Sequence, residues 1–198
     1  VGGRFVDVSA QDFDWLLEIN LLVPIRLTRA LLPLMLGNGE GQVVNTSSLF
    51  GLIGPPGQSA YSTSKFGLRG FSESLRSELE AEGRPVGVTS VHPGGIRTGI
   101  ARNARIPEGV DRQEAEEGVR DFGKVLRYPA GRAAEEIIEA AIARRPRLLI
   151  GNDARALDAV ARALTRRTEA LVSLGHPVLM ALSRKDFVGE SLDLGVDD

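Results

Sequence analysis

The stretch at residues 45–65, NTSSLFGLIGPPGQSAYSTSK, constrains this 198-residue chain more than any other. A short apolar run, residues 42–46, ends in two serines. Gly51, Gly54, Pro55, Pro56 and Gly57 then break regular structure, and a helical pattern opens with Tyr61. A buried strand that loops back into a helix is the building unit of a parallel sheet, whose strands need crossover connections. Tyr61 and Lys65 stand at i and i+4 of that helix, so a phenol and an ammonium share one face and reach one small volume. A free tyrosine titrates near pH ~10, and a cation held close favours the phenolate, so Lys65 is expected to bring Tyr61 toward the working range. Ser48, at the end of the strand, can hold a substrate oxygen beside that phenol. With two Tyr and three Lys in the chain, chance supplies a Y-x-x-x-K only roughly 0.03 times.

Helices and strands alternate on either side of this unit. Ser9 caps a long helical pattern over residues 13–36, with Gln11, Asp12 and Asp14 in its cap region and first turn. Leu16, Ile19, Val23, Leu27, Ala30 and Leu34 recur in it at helical spacing, a face expected to be buried. Pro24 lacks the N–H that would bond the carbonyl of Asn20, which predicts a kink there and a free carbonyl suited to an ordered water. The Tyr61 helix is expected to reach about Glu82, with Leu68, Phe71, Leu75 and Leu79 as its apolar stripe. Gly67, Gly70 and Ser74 form a second stripe of small residues, which predicts close approach by another backbone or a ligand.

Residues 86–92 read as a second strand. The turn Pro93-Gly94-Gly95-Ile96-Arg97-Thr98 follows at its carboxyl end, where open α/β sheets bind ligands, and its glycines are expected to let a cofactor approach. His92 is expected to be packed rather than catalytic. Residues 112–124 suit a helix in a charged stretch where a substrate-covering segment would sit, a plain solvated helix being the simpler reading. Residues 131–145 form an amphipathic pattern with Ala134, Ile137, Ile138, Ala141 and Ile142 on one face, residues 147–151 a last strand, and residues 154–174 a last helix.

In these residues the chain resembles the short-chain dehydrogenase/reductase family, whose catalytic Ser stands thirteen positions before the Tyr of Y-x-x-x-K. Ser48 and Tyr61 have that spacing, and Ser47 is one residue out of register. The family's upstream helical Asn is matched by Asn20 in LEINLL, and its P-G-x-I-x-T by Pro93, Gly94, Ile96 and Thr98 in HPGGIRT, so the resemblance covers residues 20–98. It implies an α/β fold: a Rossmann-like doubly wound parallel sheet with helices on both faces, present as the C-terminal portion, with residues 1–198 as a single catalytic and substrate-binding domain. It implies an oxidoreductase that moves a hydride between NAD or NADP and a carbonyl or secondary alcohol. Tyr61 would be the acid/base, Lys65 would lower its pKa and bind the nicotinamide ribose, Ser48 would orient the substrate oxygen, and Asn20 would hold a relay water. Pro93, Gly94, Gly95, Ile96 and Thr98, with Tyr61 and Lys65, would contact the cofactor, main-chain groups near Ile96 taking its carboxamide. The two long helices would pair with their copies in a homodimer or homotetramer. Two alternatives stay open: an epimerase or dehydratase of the wider family, and a non-catalytic dimerising fragment.

The first half of a dinucleotide fold carries a glycine-rich phosphate turn and a ribose-binding acid. Gly37, Gly39 and Gly41 do not complete G-x-G-x-x-G, and the chain is expected to be the catalytic portion of a longer enzyme, binding cofactor weakly or not at all alone. The formal charge of −2 implies no nucleic-acid partner. Without cysteine there is no disulfide framework or thiolate metal site, the cytoplasm is the expected compartment, and with only His92 and His176 no metal is expected. Residues 1–13 lack the pattern of a signal peptide. Residues 170–182 are too short and broken to span a bilayer, which needs about 20 apolar residues, so no transmembrane segment is expected. Leu49, Phe50, Leu52 and Ile53 favour an apolar small-molecule substrate. No G-x-S-x-G surrounds Ser48, which disfavours a serine hydrolase.

Overall fold

The computed structural model describes residues 2–101, 103–105 and 112–163. In chain order the elements are α1 (Ala10–Leu17), a π turn (Glu18–Leu22), α2 (Val23–Gly37), β1 (Gly41–Thr46), α3 (Ser59–Ala81), β2 (Val86–Pro93), β3 (Ile96–Arg97), α4 (Arg112–Val125), β4 (Tyr128–Pro129), α5 (Ala130–Ile142), β5 (Arg147–Ile150) and α6 (Asn152–Ala163). The main sheet has the order β1-β2-β5 and is parallel throughout, with Val43 opposite Val88 and Val91 opposite Leu148. β3 and β4 pair parallel as a separate two-stranded ladder.

Successive strand residues point to opposite faces, and both faces of this sheet are covered. Val43, Val86 and Val88 pack with Leu79 and Leu75 of α3 and with Leu32, Met35 and Leu36 of α2. Val44, Val91, Leu148 and Ile150 face the other way, onto Ala133, Ile137 and Ala140 of α5. A third cluster closes the carboxyl end of the strands: Leu49, Phe50, Leu52 and Ile53, from the loop after β1, meet Ala154 and Leu157 of α6. The sheet therefore has the two-sided α/β architecture that its alternating elements predict.

Two helical faces differ from the pattern predicted by spacing. In α1 and α2, Leu16 is buried, but Ile19, Leu27 and Leu34 point outward, joined by Leu22 and Leu31, with Leu27 56 % and Leu34 64 % exposed. The inner side is set instead by Leu21 against Gly67, by Thr28, whose hydroxyl donates to the Pro24 carbonyl at 2.8 Å, and by Leu32 and Met35. A helix apolar on two sides offers two candidate stripes, and periodicity alone does not choose between them. In α5 the buried positions are Ala133 and Ala140, whereas Ile138 and Ile142 are exposed, the small residues being those that let the helix lie close to β2 and β5.

The segment Ala10–Gly37 is also long and apolar enough to cross a membrane by length and composition, although the sequence points to residues 170–182 as the stretch to weigh. Its inner side is nevertheless packed on the sheet and on α3, and it contains the buried Asp12. Residues 170–182, the acidic tail and the end of the 154–174 helix lie outside the described residues.

Replacing the fully packed Leu68 by Ala is expected to cost ~2–5 kcal/mol, whereas Ile142→Ser, at a position 79 % exposed, should stay within ~0.5 kcal/mol. Urea unfolding of the two variants checks which faces carry the core.

Candidate active site

The site forms where β1 ends against α3. Ser47 turns inward: its backbone N–H donates to the Val91 carbonyl at 2.8 Å and its hydroxyl to the Lys65 carbonyl at 2.8 Å. Gly51 packs on the same point, since a Cβ there would sit 2.9 Å from the Lys65 carbonyl oxygen. Ser48, one residue on, caps the short 3-10 turn Leu49–Gly51 by accepting the Phe50 N–H at 3.1 Å, and it lines the same cavity as Tyr61. The two serines thus divide between anchoring the loop and facing the phenol.

The Tyr61 ring meets Phe50 edge-on, with centroids 6.1 Å apart, and Lys65 Nζ lies 5.6 Å from the centre of its face while donating to the Thr46 carbonyl at 3.0 Å. Burial pushes the Tyr61 phenol up from its ordinary value, outweighing the Ser48 hydroxyl, which favours the phenolate. Burial also lowers the Lys65 ammonium to about 8. This corrects the expectation that Lys65 makes Tyr61 acidic: the ammonium approaches the ring face and bonds Thr46, and the apolar surroundings penalise both charged forms.

Asn20 sits in the π turn, where the Val23 N–H reaches back to the Glu18 carbonyl, so the irregularity predicted at Pro24 is present as a widened turn just before it. Its amide donates to Ser64 Oγ at 3.3 Å, and that hydroxyl donates to the Tyr61 carbonyl at 2.7 Å, which links Asn20 to the Tyr61 helix. Gly67 is met by the Leu21 side chain, a Cβ there sitting 2.9 Å from a Leu21 methyl, rather than by the backbone or ligand that the small-residue stripe predicts, and Gly70 has open space beside it.

A cavity of about 510 Å³ opens on Ser48, Tyr61 and Lys65 and is closed on its far side by Pro93, Gly94, Gly95, Ile96 and Thr98. Val119 and Phe122 of α4 reach the same cavity, as do Ile100 and Ala104, so most of its walls are apolar. The turn glycines serve packing within the chain: a Cβ on Gly94 would overlap the Asp153 carboxylate, and one on Gly95 would lie 2.5 Å from the Val125 carbonyl oxygen. Their N–H groups are also spent internally, on Ile150 O at 2.9 Å for Gly94 and on Asp153 Oδ2 at 2.7 Å for Gly95. Packing within the chain thus requires these glycines, which also border the cavity.

His92 is fully buried beneath the site. A carbonyl only accepts, so Nδ1–H donates to the Ser48 carbonyl at 3.2 Å and Nε2 accepts from the Ser90 hydroxyl at 3.0 Å. Sequence reasoning places His92 as packed and misses that it holds the backbone of Ser48. It also misses Asp153, whose signal is an acidic residue in the first turn of a helix directly after a strand. Among the described residues no His/Cys/Asp/Glu cluster could hold a metal ion.

A family model described as short chain dehydrogenase matches residues 1–109, and the chain belongs to that family. It is 40 % identical over 165 residues to the Mycobacterium tuberculosis protein SadH, covering 83 % of this chain and 59 % of SadH. It is 34 % identical over 171 residues to the uncharacterized oxidoreductase YxnA of Bacillus subtilis, covering 86 % of this chain and 46 % of YxnA. The chain thus spans about half the length of these curated relatives. Among solved structures, a short-chain dehydrogenase of Streptomyces avermitilis aligns with TM-score 0.67 at 31 % identity, over 88 % of this chain and 68 % of that one. A short-chain dehydrogenase/reductase of Burkholderia phymatum, solved in complex with NAD, aligns with TM-score 0.70 at 26 % identity, over 89 % and 64 %. The fold is accordingly a Rossmann-like α/β sheet.

His92 makes stability acid-sensitive. Burial lowers it from 6.5 to about 4, so between those values the unfolded chain takes up a proton that the folded chain refuses. Its contribution is complete above pH 6.5 and is lost as pH falls to 4, by about 3 kcal/mol. Denaturation midpoints from pH 7 to 4.5 should fall more steeply for the parent than for His92→Asn.

Proposed function

We propose that this chain carries the catalytic centre of a nicotinamide-dependent oxidoreductase acting on an apolar carbonyl compound or secondary alcohol. The observation that carries the reading is that Tyr61 and Ser48 share the wall of one apolar cavity, with the Lys65 ammonium over the Tyr61 ring. The donor set suits the nicotinamide-ribose end of NAD or NADP: Lys65 can offer N–H groups beyond the one given to Thr46, and Ile96 and Thr98 border the same space. A bound nicotinamide would supply or accept the hydride.

The chain's own residues handle the oxygen and its proton. Ser48 Oγ holds the carbonyl oxygen beside the Tyr61 hydroxyl. Burial keeps that phenol protonated, so it is poised to donate as the oxygen gains charge, and a carbonyl that receives one hydride and one proton becomes an alcohol. Lys65, cationic below about pH 8, offsets the charge left on the phenolate. Asn20, tied to the Tyr61 helix through Ser64, is placed to order a water that returns the proton. Apolar walls from Phe50, Phe122 and Val119 exclude water and favour a hydrophobic substrate.

In the enzyme containing this chain, Tyr61→Phe is expected to lower turnover of a hydrophobic ketone by roughly 10²–10⁴-fold with cofactor binding nearly unchanged. Steady NADH or NADPH consumption separates this reading from an epimerase or dehydratase, and retained turnover would overturn it. The outward stripe of Leu27, Leu31 and Leu34 supports a homo-oligomer formed through α2. Leu27→Lys with Leu31→Lys should move the protein to monomer in sedimentation velocity.

A further inference from the structure

Asp153 belongs to none of the motifs above, yet, besides the His92 bond to the Ser48 carbonyl, it is a point at which the two walls of the cavity are tied together. Its Oδ2 accepts the Gly95 N–H at 2.7 Å and its Oδ1 the Ala154 N–H at 2.9 Å, both hydrogen bonds assisted by the carboxylate charge. The carboxylate stands in the first turn of α6, where the helix dipole favours an anion. Gly94 and Gly151 crowd it so closely that a Cβ on either would overlap it.

We infer that Asp153 is a positioning residue that fixes the wall Pro93–Ile96 relative to the Tyr61–Lys65 wall. The link runs through α6. Ala154 and Leu157 pack on Leu49 and Phe50, directly after Ser48, and Asp158 is paired with Arg147 of β5 at 2.6 Å. Helix α6 is thereby seated on the serine loop, and Asp153 is the side chain by which it grips the opposite turn. The other bonds of that turn run to the backbone: Gly94 N–H to Ile150, and the Gly95 carbonyl to the N–H groups of Arg127 and Tyr128, each at 2.9 Å. They hold the turn to β5 and to the start of β4, whereas the Asp153 bond sets it against the loop that carries Ser48. The inference rests on the proposed nicotinamide reading, since the wall that Asp153 holds is the one assigned to the cofactor.

The test uses the 198-residue chain titrated with nicotinamide mononucleotide and followed by NMR, with Gly95 amide exchange measured on the same samples. Asp153→Ala is expected to weaken binding by roughly tenfold or more and to speed Gly95 exchange. Asp153→Asn, which keeps the shape and one acceptor, should lie within about threefold of the parent in binding. A folded Asp153→Ala chain with parental affinity, or an Asn variant as weak as the Ala variant, overturns the inference. Should Asp153→Ala not fold, Asp153→Asn decides alone: Gly95 exchange and binding that keep to the parent together, or shift together, support the inference, and a shift in one without the other overturns it. Failure of the parent itself to bind overturns this inference for the chain, whereas the nicotinamide reading falls with retained turnover in Tyr61→Phe, so the two failures are distinguishable.

Discussion

The strand and the helix that meet at Ser47 are locked by one buried contact, on which the geometry of the site depends. The Ser47 hydroxyl bonds the Lys65 carbonyl, and Gly51 rests on that carbonyl with no room for a side chain. With this junction closed, the next residue along the strand, Ser48, faces the residue one helical turn before Lys65. A neighbouring pair of buried polar groups reinforces it: the Asn45 amide donates to Ser72 Oγ at 2.9 Å, and that hydroxyl donates to the Leu68 carbonyl at 2.7 Å. A buried polar group left unmatched would cost about 1–3 kcal/mol, so these side chains specify how β1 lies on α3 as well as stabilising it.

The same removal from water acts in opposite directions on the ionisable groups around the cavity. It raises the phenol, lowers the ammonium and lowers the imidazole beneath them, so each neutral form is favoured. Tyr61 is therefore held in its protonated form in the protein by itself. Its opposite role, as a base toward an alcohol, would have to draw on charge brought by what binds there. The buried imidazole remains a donor to the Ser48 carbonyl.

Much of this was legible in the sequence because period and spacing translate directly into geometry. The i, i+4 pair Tyr61 and Lys65 had to share a helix face, and the short apolar runs at 42–46, 86–92 and 147–151 had to be strands of a parallel sheet. The stripes of α2 and α5 were misread, since a helix with more apolar residues than one face can hold leaves its orientation to packing partners far away in sequence. Interactions spanning long separations were not legible either. The bond from His92 to Ser48 joins residues 44 positions apart, and that from Gly95 to Asp153 joins residues 58 apart. The direction of the Tyr61 shift was missed for a related reason: spacing gives proximity to a cation, whereas burial, which here outweighs it, is a property of the whole fold.

Among the described residues β1 and β5 each pair only with β2, so within that part of the chain each has one edge without a strand partner. β1 is the more exposed hazard, a six-residue strand with valines on both faces and no proline or lysine to discourage a newcomer. Wherever such an edge is left open, strand addition by sheet extension would compete with any orderly pairing through the helices.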